Sequence, residues 1–433
     1  MFKIVRILHL SSFEYFYFFM MVIYMSYMTA ETRVMCGGLT SNPIAFSIPI
    51  LLTIVLFRIR KISFRNKKFI FSLGVIFCWS IIQIYTKKQY AFKEFANYLY
   101  ICYALIFAYI HIQVYGKKIF PLYEDVMLKL CLLSLPIWIF TCLVPDMAMS
   151  LASLFPETGY GYNFFFLVNW IRTDSVDQVS YGLIRNAGCS WEPGRFAIMT
   201  CLAFMISLYN RGLSLRKNRH ILIYLITILT TMSTTGYILF FMIYFYMYLK
   251  TFRLSKVFKI SFLSLPIILC LVQLDFIGEK LEEKINVNAG IEKIEESYQW
   301  TENHNENDNG VAYVMDRFPS FYFECLNFIN DPIIGYGGNI EDSFFTKNYT
   351  DAIGFSGGLM TLFARHGVFF AVFLLYVLFV SSLRSAGDMK SNKKYGFLLC
   401  FLVSMISYPL IWFPLYTAFW FYGFFQDRKL VEK

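Results

Sequence analysis

Charge is what this chain has least of. Only 16% of its 433 residues are Asp, Glu, Lys or Arg, against 57% hydrophobic and 20% aromatic, and the mean hydropathy is +0.52. A soluble domain of that composition would have no polar surface to keep it dissolved, so the soluble classes are excluded. Spacings that hold a metal are missing as well. No Cys-x-x-Cys or His-x-x-x-His pair occurs, and Cys78, Cys102, Cys131, Cys270 and Cys400 fall inside apolar runs, where they pack rather than crosslink. No small-residue cleavage pattern follows the first apolar run, which reads as a retained helix.

What is there in abundance is long apolar sequence. Window after window approaches the ~20 residues that a bilayer crossing needs, and the runs are continuous rather than alternating, which selects helices over a barrel. The fold expected is an all-α integral membrane protein of about 12 transmembrane helices with two large extracytoplasmic loops. Residues 1–144 hold an N-terminal bundle of five spans, 145–195 a first outer loop, 196–274 spans six to nine, 275–356 a larger acidic outer loop, and 357–433 the last three spans and a tail. Basic stretches at 58–68, 211–220, 250–259 and 384–394 mark the inner side, with both termini inside, so the net charge of +10 is a topology signal and does not suggest nucleic acid. Lys87, Lys88 and Lys93 fall on the outer side and break this pattern.

The two outer loops differ in kind. In the first, the aromatic run 160–170 reads as an interfacial belt or a short re-entrant helix, followed by Arg172, Asp174 and Asp177. In the second, acids outnumber Lys and Arg. Leu281, Ile285, Ile291 and Ile294 have helical spacing, 301–310 is polar enough to be a loop, and 314–339 combines an amphipathic helix with a glycine turn.

Residues 185–195, RNAGCSWEPGR, carry the sharpest signal. Two arginines, a glutamate, two glycines and a proline sit at the lip of an apolar run, where charge is expensive to keep. A helix entry with a cap explains part of this, but two arginines flanking one glutamate exceed what a cap needs. Arginine binds phosphate through a two-pronged fork and stays charged at any working pH. Arg185 and Arg195 on the first loop and Arg317 on the second would suit a lipid-linked phosphate or diphosphate, and Trp170, Trp191 and Tyr336 would suit sugar faces. The plainer alternative is that these arginines pair with loop acids and reach toward headgroups.

These residues carry a resemblance. Arg185, Gly188 and Glu192-Pro193-Gly194-Arg195 before an apolar span resemble the motif of O-antigen polymerases and the related O-antigen ligases. Arg317, an aromatic helix and then Asp331-Pro332-Ile333-Ile334-Gly335-Tyr336-Gly337 resemble the arginine, helix and glycine-turn pattern of that family's large outer loop. Gly357 to Phe369, with Arg365-His366-Gly367-Val368, resembles the helix that follows. Thr231 to Gly236 resembles a short hairpin motif of the family, without its arginine. The likeness spans roughly 184–380.

The resemblance implies a GT-C-like membrane glycosyltransferase. Its donor would be a glycan on polyprenyl diphosphate, passed to another carrier-linked unit by a polymerase or to a different acceptor by a ligase. Arginines would hold the diphosphate, with no metal, nucleotide or other cofactor. Ligases carry a His-Asn pair eleven residues before the helix glycine; here that position is Ser356, which favours a polymerase. The setting implied is a bacterial cytoplasmic membrane, with a flippase and a chain-length regulator as partners.

Transfer needs a group to take the acceptor's proton and cations to meet the leaving diphosphate. Arg185 and Arg317 are the expected catalytic cations. Glu192 is the first candidate base, with Asp342 and Asp351 behind it. Arg195, Arg172, Trp191, Asp331, Gly335, Tyr336, Asp342 and His366 are expected to bind substrate. A transporter for the same lipid-linked glycan is the competing class. Against it stand the absence of an internal repeat and of charge deep in the spans, where Glu14 is nearly alone.

Overall fold

A computed structural model describes residues 4, 7–27, 43–90, 92–154, 161–164, 166–171, 184–190, 192–249, 313–315, 317–348, 353–355, 358–408 and 410–426. The expected ninth span, the 281–294 helix, the polar stretch 301–310, Lys433 and the rest of the tail lie outside those residues.

The chain is mostly helical, and its helices follow the apolar runs. Five lead: α1 Ser12–Tyr27, α2 Pro43–Arg60, α3 Lys67–Lys87, α4 Phe92–Tyr115 and α5 Ile119–Leu143. A tight turn at Gly116–Lys118 separates the last two, with Gly116 at φ +47°. The starts and stops have local causes. Asn66 caps α3 by accepting from the amides of Lys68 and Phe69, and Lys88 ends it in the left-handed region. Short α6, Pro145–Ala152, then leads into the first loop.

That loop holds three of the few strands in this mostly helical chain. The aromatic run expected as a belt or re-entrant helix is a hairpin of β1, Gly161–Phe164, and β2, Leu167–Ile171, and β3, Ile184–Gly188, pairs antiparallel with β2. In the sheet Asn169 points a polar amide at Thr141, while Leu167 and Val168 join the core, with an irregularity of register between Val168 and Asn169. A second small sheet joins β4, Tyr313–Met315, in parallel to β5, Ile353–Phe355.

The core then builds up around α7, Pro193–Arg211. It is apolar all round and buried along nearly its whole length, as a helix enclosed by others must be. Around it pack α5, β3, α8 His220–Thr230, α9 Thr234–Tyr248 and α13 Gly396–Ser407. Close approach of α9 rests on Gly236, where an added Cβ would meet the Ala197 side chain at 2.5 Å. A second buried column, α14 Pro414–Phe425, packs on α4 and on α12, Leu359–Asp388. In contrast, α3 leaves Ile70, Phe71, Phe77, Ile81 and Ile82 exposed, an apolar face suited to lipid.

Three helical stretches among the described residues have the length and composition to cross a membrane: Lys67–Lys87, Asn97–Leu143 (broken at the Gly116 turn) and Leu359–Asp388. Several other apolar helices are shorter; α13, at 12 residues, rises only about 18 Å against a hydrocarbon layer of about 30 Å.

Contacts sort the connecting segments into two ends. At one end the buried Glu124 pairs with Arg211 and His220, Glu14 pairs with Arg60, and the Lys393 amine reaches the Leu249 carbonyl. These are the segments whose basic residues the sequence reading takes as the inner side. Glu14 is therefore accompanied by a second buried acid, Glu124, which the sequence reading left just outside its span. The opposite end gathers the segments read as outer.

Candidate functional site

At that opposite end three separate stretches meet around the connection between α13 and α14. The first begins at β3. Gly188 turns the chain at φ +52°, with the Phe196 ring 2.3 Å from where a Cβ would stand, so only glycine fits between strand and helix. Pro193 then opens α7 at the position where its missing N–H costs nothing. This geometry presents Glu192 in extended conformation at the helix mouth. The Glu192 carboxylate accepts the Tyr408 hydroxyl, and Gly194 makes room for that hydroxyl, which lies 2.4 Å from an added Cβ. One turn on, the Arg195 guanidinium lies over the rings of Tyr408 (5.4 Å) and Phe413 (5.6 Å), with Nε and Nη1 shielded from solvent.

Arg185 reaches another way. Its Nε donates to the Thr231 carbonyl at 3.0 Å and an Nη to that of Met232 at 3.1 Å. Its fork thus satisfies carbonyls at the end of α8 and ties the α8–α9 hairpin to the strand. Asn186 binds Ser134 and Thr230 on the same seam, and Thr235 bonds Ser407 at 2.7 Å.

The second stretch is α10, Arg317–Asn330, with the turn that follows. Arg317 is the first residue of that helix. Asp331, Gly335, Tyr336 and Asp342 all lie in one compact structure, which the short α11, Phe344–Asn348, follows. Gly335 at φ +76° and Gly337 at φ +84° fold the turn into a break in α12, where Gly367 takes φ +75°. The Tyr336 and Gly337 amides donate to the carbonyls of Ala364 and Arg365, and Val368 donates to Pro332. Arg365 closes the clasp, its guanidinium donating to the carbonyls of Gly337 (3.1 Å) and Gly338 (3.2 Å).

One of the outer lysines finds its reason here. Lys87 pairs with Asp331 across 244 positions, so its charge belongs to the acidic loop. Beside it Gln89 donates to Tyr336 O (2.8 Å) and to Asp342 (2.6 Å), while its oxygen accepts from Gly338 N. Asp342 is thereby engaged in holding the turn. Beneath it Glu324 is fully buried, bound to Asn327 and reached by the Tyr336 hydroxyl at 3.4 Å. Burial pushes its carboxyl up to about 7.

The third stretch is the start of α12. His366, expected at a helix end and to contact substrate, ends the first helical segment of α12 at the Gly367 break and is 2% exposed. With Thr361, Arg365, Ile411 and Trp412 it lines a cavity of about 30 Å³.

The structure therefore brings Glu192, Arg195, Tyr408 and, across the Trp412 connection, Arg365 and His366 to one end, with Asp331, Gly335, Tyr336 and Asp342 clasped behind them. Arg172, Trp191 and Asp351 lie outside the described residues, as does Ser356. Gln83, Gln89, Glu324, Arg365 and Tyr408 were not picked out as site residues from sequence. The partners of Gln83, Gln89 and Tyr408 lie more than 200 positions away, and only the placing of an acid on the apolar side of α10 could have flagged Glu324. Among the described residues no cluster of His, Cys, Asp and Glu could hold a metal ion. Comparison with protein-family models, curated proteins and solved structures finds no match to the chain.

Proposed function

We propose that this chain is a membrane glycosyltransferase that polymerises polyprenyl-diphosphate-linked oligosaccharide units into a surface polysaccharide. It would work at the outer face of a bacterial cytoplasmic membrane, with twelve spans and both termini cytoplasmic. The observation that carries the reading is convergence. The arginine-glutamate motif at 185–195, the glycine turn at 331–338 and the opening of α12 are far apart in sequence and meet at one end of the bundle. That is the end whose connecting segments lack the basic signature.

Arginine charge there would meet a developing diphosphate. We assign the diphosphate contact to Arg195 and Arg317, with Arg185 holding the hairpin beside them. Glu192 and His366 are the groups we place to take a proton. Donor and acceptor are both carrier-linked glycans, and a flippase and a chain-length regulator would supply and limit the reaction.

Deleting the gene and resolving surface glycans by length on a gel tests this. Single repeat units are expected. Long chains stranded on the carrier would mean a ligase. Unmodified units retained on the inner leaflet would mean a transporter. Normal long chains, normally attached, would reject all three.

A further inference from the structure

Two features around His366 are unaccounted for. Its Nε2 is buried and makes no hydrogen bond among the described residues, and its ring lines a cavity of about 30 Å³ beside Thr361, Arg365 and Trp412. Space of that order takes one hydroxyl group or one water. A buried polar atom left without a partner costs free energy, so it is either strain or a place for a ligand.

Gln83 decides which ring nitrogen carries the proton. Its amide nitrogen donates to the carbonyls of Ile334 (2.6 Å) and Arg365 (2.8 Å), so the amide cannot be turned round without setting oxygen against oxygen. Its oxygen therefore faces His366 Nδ1, at 3.4 Å. An amide oxygen only accepts, so Nδ1 holds the hydrogen and donates. Nε2 is left with a bare lone pair on the ring edge turned away from Gln83. The Trp79 indole, donating to the His366 carbonyl at 2.9 Å, fixes the backbone from the same side.

We propose that His366 Nε2 is the proton acceptor for a hydroxyl that enters this cavity, with Gln83 as the positioning residue that sets its tautomer. This rests on the glycosyltransferase reading, and within it the hydroxyl is that of the acceptor sugar. Its oxygen bonds to the donor's anomeric carbon. The bond from that carbon to the diphosphate oxygen breaks, and its electron pair leaves on the diphosphate. The hydroxyl proton passes to Nε2 and from there to water. Glu192, whose carboxylate is already held by Tyr408, then orients the neighbouring cations.

Membranes carrying the chain, supplied with polyprenyl-diphosphate-linked repeat units extracted from the same cells, provide the assay. Failure of wild-type membranes to lengthen the added glycan would overturn the glycosyltransferase reading itself. Given lengthening by wild type, His366→Ala and His366→Gln at equal protein level should each slow it about 100-fold or more, the usual worth of a positioned base. Gln can accept a hydrogen bond but cannot take the proton, so its failure separates chemistry from packing. Added imidazole should restore the Ala variant by at least tenfold and leave Gln unchanged. Near-normal lengthening by either variant, or no recovery of His366→Ala with imidazole, would overturn the assignment.

Discussion

Replacing Gly367 by alanine should unclasp the second loop from α12. Gly367 sits at φ +75°, ψ 170°, a region that only glycine occupies without strain. An added Cβ would stand 1.9 Å from the Ile333 carbonyl oxygen, 2.5 Å from its carbon and 2.9 Å from the Ile334 nitrogen. These are backbone atoms of the docked turn and cannot swing aside. Strain of about 1–3 kcal/mol adds to the loss of three backbone hydrogen bonds, each worth about 1 kcal/mol, for roughly 4–6 kcal/mol in all. Gly74→Ala is the matched control: no heavy atom lies within 4 Å of its added Cβ, in the interior of α3, and alanine there should be neutral or stabilising by up to about 1 kcal/mol. Thermal unfolding of both variants in detergent, with protease cleavage across 331–342 as the local readout, gives the comparison. Equal melting and equal cleavage for Gly367→Ala and wild type would refute the clasp.

Glu324 makes the clasp sensitive to pH. Folding raises its carboxyl from the ordinary 4.5 to about 7, so the stability it lends is full below about 4.5 and is lost as pH rises through about 7. Melting of wild type should fall between pH 5 and pH 8 relative to Glu324→Gln, and parallel curves would contradict this. Arg185→Lys keeps the charge but loses the fork to the Thr231 and Met232 carbonyls. It should cost about 1.5–3 kcal/mol and speed hydrogen exchange in the α8–α9 hairpin, and unchanged exchange would leave Arg185 with no hairpin role. Lys347→Cys, on an exposed side chain near Asp342, should be labelled by an impermeant maleimide in intact cells. Labelling only after permeabilisation to the cytoplasm would invert the topology.

The helices were legible in the sequence because long, continuous apolar runs have few alternatives, and their ends fell within a few residues of the capping and turn signals at Asn66, Pro193 and Gly236. The 160–171 hairpin was not. Its aromatic residues suit an interface helix and a strand equally well, and only pairing to 184–188 decides between them. The glycines of the 331–337 turn announced a turn but not its partner, because the matching break at Gly367 lies inside an apolar run that reads as one helix. Lys87 shows the limit of charge counting: it looked misplaced until Asp331 was found opposite it. Arg185, expected at a diphosphate, is tied to backbone carbonyls, and no local spacing distinguishes those two uses of a guanidinium.

The central claim is that this chain alone, with no cofactor, joins carrier-linked glycans. Purified protein in lipid nanodiscs, given polyprenyl-diphosphate-linked repeat units, a chelator and no nucleotide sugar, tests it most directly. Mass spectrometry of the lipid-linked products should show a ladder of two, three and more units with release of free polyprenyl diphosphate, and the ladder should vanish with Arg195→Ala. Single units persisting unchanged beside folded wild-type protein would contradict the account.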